Sequence, residues 1–201
     1  MRARRHPDLR ESLLTTVGTL LREKGIEGLS LREVARRAGA SPAAPAYHFG
    51  TRAGMLTAFA VRGFEGLTEA VDAEVSRSGA VSPPDRLAAL GRGYVGFAVA
   101  DPGRWEVMFR TELLVAGDPD LEAATASARR RLLGAVRGCA EAGLLPAADV
   151  PTAAIAAWSL THGLAGLWSA GRLGDHWGQP EVERLARQVT DLFVTRVMRP
   201  S

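Results

Sequence analysis

The stretch from Leu29 to Phe59 constrains the chain more than any other, because its breaks fall where only one supersecondary motif fits. Ser30 with Glu33 three residues later reads as a capping box, in which a hydroxyl and a carboxylate satisfy the free amides of a new helix. Leu31, Val34, Ala35 and Ala38 then recur at helical spacing, which predicts a short helix with one apolar stripe. Gly39 stands where that helix must end, since glycine takes the left-handed C-cap conformation without steric cost. Ser41-Pro42 predicts a second helix start, with serine as cap and proline at the first helical position. Two short helices joined by so tight a turn cross steeply, and Ala35 is small enough to permit close contact. The expectation is a helix-turn-helix whose second helix enters the DNA major groove.

The run R-E-V-A-R-R-A-G-A-S-P-A-A-P-A-Y-H-F-G-T-R-A-G-M-L resembles the DNA-binding region of TetR/AcrR-type transcriptional regulators. Members of that family end the second helix with an aromatic residue and a His-Phe pair and place a lysine three residues after the phenylalanine. Here His48 and Phe49 match the pair and Arg52 stands at the lysine position, while the family's usual aromatic, two residues before the histidine, corresponds to Ala46, with Tyr47 beside it. The candidate DNA-contacting residues are Ser30, Arg32, Ser41, Pro42, Ala43, Ala44, Tyr47, His48 and Arg52. Small apolar side chains can meet thymine methyls, while Tyr47 and His48 can reach phosphate or a base edge. Tyr47 reads equally as core. Pro45 at the expected fourth helical position would remove the bond to Ser41 and leave that carbonyl open. Arg36 and Arg37 are candidate phosphate contacts or simply solvated surface.

Charge supports the same division. The net charge is only +3, yet residues 1–52 hold ten Arg/Lys against five Asp/Glu, and the remainder holds fifteen against seventeen. A basic end on a slightly acidic body predicts that the N-terminal part alone meets a polyanion. Arg2, Arg4, Arg5 and His6 form a basic arm suited to phosphates or a minor groove, or else a tail without a role. The domain expectation is residues 1–52 for DNA and residues 53–201 for dimerisation and ligand.

Beyond the motif every segment reads as helix. A first helix is expected from Asp8 to Lys24, and Thr51 is placed to cap a fourth reaching about Ser78, the natural lever out of the head. Ser82-Pro83-Pro84 opens a fifth, carrying Leu87, Leu90, Tyr94 and Phe97 along one side. In R-W-E-V-M-F-R-T-E-L-L, Trp105, Met108, Phe109 and Glu112 are expected on one face. Wide aromatics near Gly91, Gly93 and Gly96 suggest an interior with room for a guest, and core packing is the plain alternative. The candidate ligand-binding residues are Tyr94, Phe97, Trp105, Met108, Phe109, Trp158 and His162. A long helix from about Asp118 to Glu141 follows.

Residues 150–171 carry no charge. Pro151, Thr152, Ser159, Thr161, His162 and several glycines argue against a membrane span, so burial on all sides is expected, with a second subunit as the outer layer. One face is assigned Ile155, Trp158, His162 and Ala165, and the other Leu160, Leu164 and Leu167. A final helix from Glu181 to Met198 completes a dimer interface of Leu160, Leu164, Leu167, Leu185, Val189 and Leu192. The spacing of Trp158, His162 and Gly163 resembles the Trp-His-Gly signature of one TetR subfamily's C-terminal domain.

Other chemistry finds no support. The single cysteine, Cys139, cannot form an internal disulfide, in keeping with a reducing cytoplasm, and no apolar leader follows the arginine-rich start. His6, His48, His162 and His176 lack metal-ligand spacing, and no phosphate loop or nucleophile elbow is present. No cofactor is called for. The sequence predicts an all-α, non-enzymatic, cytoplasmic homodimer that binds a palindromic double-stranded operator as a repressor released by a small hydrophobic effector. An activator, or a constitutive regulator without an effector, is the alternative.

Overall fold

The computed structural model describes residues 9–174, 178 and 181–197. The basic arm, Asp8, His176 and Met198 lie outside the described residues. The described chain is helical without strands, in the order α1 (Leu9–Lys24), α2 (Leu31–Ala38), α3 (Ala44–Phe49), α4 (Arg52–Arg77), α5 (Pro83–Ala100), α6 (Pro102–Phe109), α7 (Pro119–Glu141), α8 (Val150–Ser169) and α9 (Val182–Leu192). Side-chain caps form at the starts of α4 and α5. Thr51 Oγ1 accepts from Gly54 N at 3.0 Å, and Ser82 Oγ accepts from Asp85 N at 3.3 Å.

The chain divides into two compact units, one of residues up to Gly63 with Gly103–Ala123, the other of Phe64–Pro102 with Ala124 onward. In the first, Leu13, Val17, Leu20, Val34, Met55, Leu56 and Phe59 are fully buried, one stripe from each of α1, α2 and α4. The Arg104 guanidinium lies 4.5 Å from the centre of the Phe59 ring, a cation–π contact that holds α6 against α4. Thr57, buried among apolar neighbours, has its hydroxyl satisfied twice: it donates to Ala53 O and accepts from Val115 N, each at 2.9 Å.

In the second unit α5 is the central helix, packed against both α8 and α9. Gly91 makes that approach possible, since a methyl there would stand 2.8 Å from Thr190 Cγ2 and 3.1 Å from Thr161 Cγ2. One core cluster gathers Leu87, Val136, Cys139, Val150, Ala154, Ala157 and Phe193; another gathers Val95, Leu164, Val182 and Ala186. Arg131 binds Asp72 through Nε at 2.9 Å, and Arg92 Nε binds Glu74 at 3.1 Å.

Three expectations are corrected here. The helix of Trp105 ends at Phe109, and Glu112 falls in a separate 3-10 turn, Thr111–Leu113, where it is exposed and bonds Arg110 Nε at 2.5 Å. That pairing holds its carboxyl below the usual range. Gly96 is exposed rather than part of an interior wall. Finally, the residues assigned to the two faces of α8 differ in burial within the single chain. Its buried line is Val150, Ala154, Ala157, Thr161, Leu164 and Ala165, whereas Ile155 is 62% exposed and Leu167 48%. Ile155 thus lies outside the buried line that holds Ala165, and Leu164 and Leu167, neighbours at i and i+3, stand on either side of its edge.

Candidate nucleic-acid interface and the Tyr94–His162 pair

Local chemistry builds the helix-turn-helix. Ser30 Oγ accepts from Glu33 N at 3.2 Å, the first half of the expected capping box. The Glu33 carboxylate does not return to Ser30; it takes Lys24 Nζ at 2.7 Å and Arg36 at 2.8 Å. Those two cations, Arg36 foremost, hold its pKa down to about 2. Gly39 caps α2 with φ 64° and ψ 25°, the left-handed geometry expected of it.

The start of α3 differs from expectation. The helix begins at Ala44, not Pro42, and Ser41 provides no side-chain cap. Pro45 has no amide to give the Ser41 carbonyl, so Ala44 N donates there instead at 3.0 Å, closing a tight turn over Pro42 and Ala43. The carbonyl expected to be open is thus satisfied. Pro45 then sits at the second helical position, where an amide has no intrahelical partner to lose.

Burial sorts the candidate contacts. Ser41, Pro42, Ala43, Ala46 and Tyr47 are exposed, Tyr47 at 86%, so its core alternative is ruled out within this chain. Ala44 is buried beside Pro45 and is corrected to an interior residue of the head. Ala46, absent from the candidate list, takes its place on the outer face; helical spacing from Ala43 was the signal. His48 is half-buried, its ring centre 5.3 Å from that of Tyr47 at 84°. Ser30 and Arg32 are exposed, and among the described residues Arg32 has no ion-pair partner. Arg37, by contrast, is tied to Glu23 at 2.5 Å. Arg52 is half-buried and donates from Nε to Leu29 O at 2.9 Å and from Nη2 to Ile26 O at 2.6 Å.

The candidate ligand residues separate into two groups. In the second unit, Tyr94 is buried on α5 and its hydroxyl lies 2.7 Å from His162 Nδ1 on α8. Trp158, 44% exposed, meets the same imidazole edge-on with ring centres 5.8 Å apart. Burial lowers the His162 pKa, which favours the neutral ring. Phe97 is half-buried on α5. In the first unit, Trp105 and Phe109 touch with ring centres 5.7 Å apart, and Met108 is buried where α6 passes Gly63. Of the candidate dimer residues, Leu164 is buried in its own protomer's core and is corrected to a core residue. Leu160, Leu185 and Val189 are half-buried against their own protomer's clusters, and Leu167 and Leu192 are exposed. Among the described residues no group of three or more His, Cys, Asp or Glu could hold a metal, and no helix is long and apolar enough to cross a membrane.

Comparison with known proteins agrees with this architecture. Residues 18–59 match the bacterial regulatory proteins of the tetR family, and residues 87–193 match the tetracyclin repressor-like C-terminal domain. The chain belongs to the tetR family of bacterial regulatory proteins, a class of helix-turn-helix transcriptional regulators. It is similar to a protein of unknown function from Rhodococcus sp. RHA1, with TM-score 0.81 and 30% identity over 96% of this chain and 97% of that one. An HTH-type transcriptional regulator of Mycobacterium bovis is 33% identical over 89 residues, 44% of this chain and 38% of the relative's length. AibR, solved with isovaleryl coenzyme A and operator DNA, shares the fold with TM-score 0.67 and 18% identity over 96% of this chain and all of that one.

Proposed function

We propose that the protein is a homodimeric repressor that binds a palindromic double-stranded operator and is released from it by a small hydrophobic effector. The exposed face of Ser41, Pro42, Ala43, Ala46 and Tyr47, held between capped α2 and α4, carries this reading. Ser30, Arg32 and His48 flank that face. DNA contact is assigned to residues 1–52, and dimerisation and effector binding to residues 53–201. Ile155 and Leu167 of α8 with Leu192 of α9 leave apolar surface outward, which suits the same surface of a second copy. The Tyr94–His162 pair beside the half-exposed Trp158 offers an apolar effector one polar handle. AibR's complex with an acyl-coenzyme A and operator DNA supports an effector of that general kind. Such a protein acts in the cytoplasm, where its DNA lies.

Footprinting on the DNA upstream of the protein's own gene tests the reading. Protection of two half-sites about one helical turn apart is expected, weakening steeply with salt. Absence of any protected site would remove it. Transcription from the footprinted promoter in vitro separates repressor from activator, and a footprint that no acyl-coenzyme A or hydrophobic acid releases would favour a constitutive regulator.

A further inference from the structure

The guanidinium of Arg52 is the first side chain of α4, yet its bonds run back to the connection that leads into α2. Its Nε donates to Leu29 O, 23 residues earlier, and its Nη2 to Ile26 O, 26 residues earlier. The Ile26 carbonyl also accepts from Leu29 N at 3.2 Å, so the connection is itself a tight turn. Ile26 and Leu29 bury their side chains in the head, which leaves the turn no freedom to follow Arg52 if it moves. Between Leu29 and Arg52 lies the whole motif: α2, its glycine turn and α3. Helix α3 has six residues, too few to hold a conformation or direction without support at both ends.

We infer that Arg52 is a positioning residue for DNA recognition, bracketing the two ends of the helix-turn-helix so that α3 meets the groove at one fixed angle. The family resemblance implied direct DNA contact for this position, whereas the geometry commits the flat Nε–Nη2 edge to two carbonyls. A guanidinium edge supplies two donors in one plane, which a lysine ammonium, a point charge on a flexible stem, does not reproduce. The charge-conserving replacement is therefore the informative one. This inference rests on the DNA-binding reading above.

The test uses the full chain and a duplex that the unmodified protein enriches from a random-sequence pool, with poly(dI-dC) as non-specific duplex. R52K and R52M are expected to lose roughly tenfold in affinity for the enriched duplex, the scale of one lost charge-assisted hydrogen bond. Both should keep their affinity for poly(dI-dC) and their slope of log affinity against log salt, because no phosphate contact is removed. Without DNA, amide exchange in R52K should quicken within residues 40–51 alone. R52K binding like the unmodified protein, with the slope of R52M reduced by about one, would instead make Arg52 a phosphate contact and overturn the bracket. Variants that melt earlier yet bind the enriched duplex normally, or unchanged exchange over residues 40–51, would overturn it as well. If the unmodified protein enriches no sequence, the DNA-binding reading itself falls. If R52M does not fold, R52K and its exchange pattern decide alone.

Discussion

The hydroxyl of Tyr94 and Nδ1 of His162 lie 2.7 Å apart, joining α5 to α8 by a part-buried bond. A neutral imidazole makes this bond in either tautomer, Tyr94 donating when Nε2 carries the ring proton and Nδ1 donating when Nδ1 carries it. Burial stabilises this state by disfavouring the imidazolium.

That preference sets a pH dependence. A histidine whose folded pKa lies below its unfolded value of about 6.5 contributes stability that is full above about 6.5 and is lost as pH falls through the folded pKa. Melting temperature should therefore decline from pH 7 to pH 5 more steeply in the unmodified protein than in H162Q. Parallel declines would show that His162 is not held neutral. Y94F, which removes the hydroxyl bonded to Nδ1, should cost about 1 kcal/mol by denaturant unfolding at pH 7.5.

Leu164 and Leu167 stand three residues apart on α8 with opposite fates. Leu164 is buried against Val95, Val182 and Ala186, while Leu167 is half exposed. L164E places an unpaired carboxylate in a core and should yield little folded protein by circular dichroism. L167E should remain folded yet shift the species seen by light scattering from dimer to monomer. A dimeric L167E would move the proposed interface away from this face of α8.

Gly91 is the tightest point of the α5, α8 and α9 packing. Ala at this position would drive a methyl to 2.8 Å from Thr190 Cγ2, and that threonine is fixed by bonds from its Oγ1 to Ala186 O at 2.8 Å and Arg187 O at 3.1 Å. G91A should destabilise by about 1–3 kcal/mol in denaturant unfolding, the usual cost of overpacking. T190S, which removes the opposing methyl, should recover part of that loss in the double variant.

Arg32, Arg36 and Arg37 differ in what they can offer a phosphate. Arg36 already serves Glu33, and Arg37 serves Glu23, whereas Arg32 is exposed without an ion-pair partner among the described residues. R32A should reduce affinity for all duplexes and lower the salt slope by about one. R36A should change the slope less, since its charge is shared with a carboxylate. Equal effects of the two would show that the internal pairs open on binding.

What could be read from the sequence follows the range of the interactions. Ser30, Gly39, Thr51 and Ser82 act within a few residues, so their roles as helix ends were visible in the letters alone. The start of α3 is hidden in the sequence because a serine–proline pair looks like a cap until Pro45, further on, denies the Ser41 carbonyl its usual donor. The carbonyls under Arg52 come from a turn more than twenty residues away, and no pattern announces such a bond. Helix α8 hid its faces because its residues offer no charge contrast, leaving only alanine, glycine and threonine to mark where neighbours approach. The aromatic set divided between two units for a similar reason: periodicity places residues on a helix face but does not say which interior that face meets.

The brevity of α3 limits how much this protein can know about a DNA sequence. Six residues rise about 9 Å, the length of roughly three stacked base pairs. A word that short recurs every few dozen base pairs by chance, against a chromosome of roughly a million or more competing sites. One head alone would be lost among these addresses. In the proposed homodimer, selectivity would come from demanding two such words at a set distance, which would make the spacing between heads part of the message and any change in it a means of erasing the address.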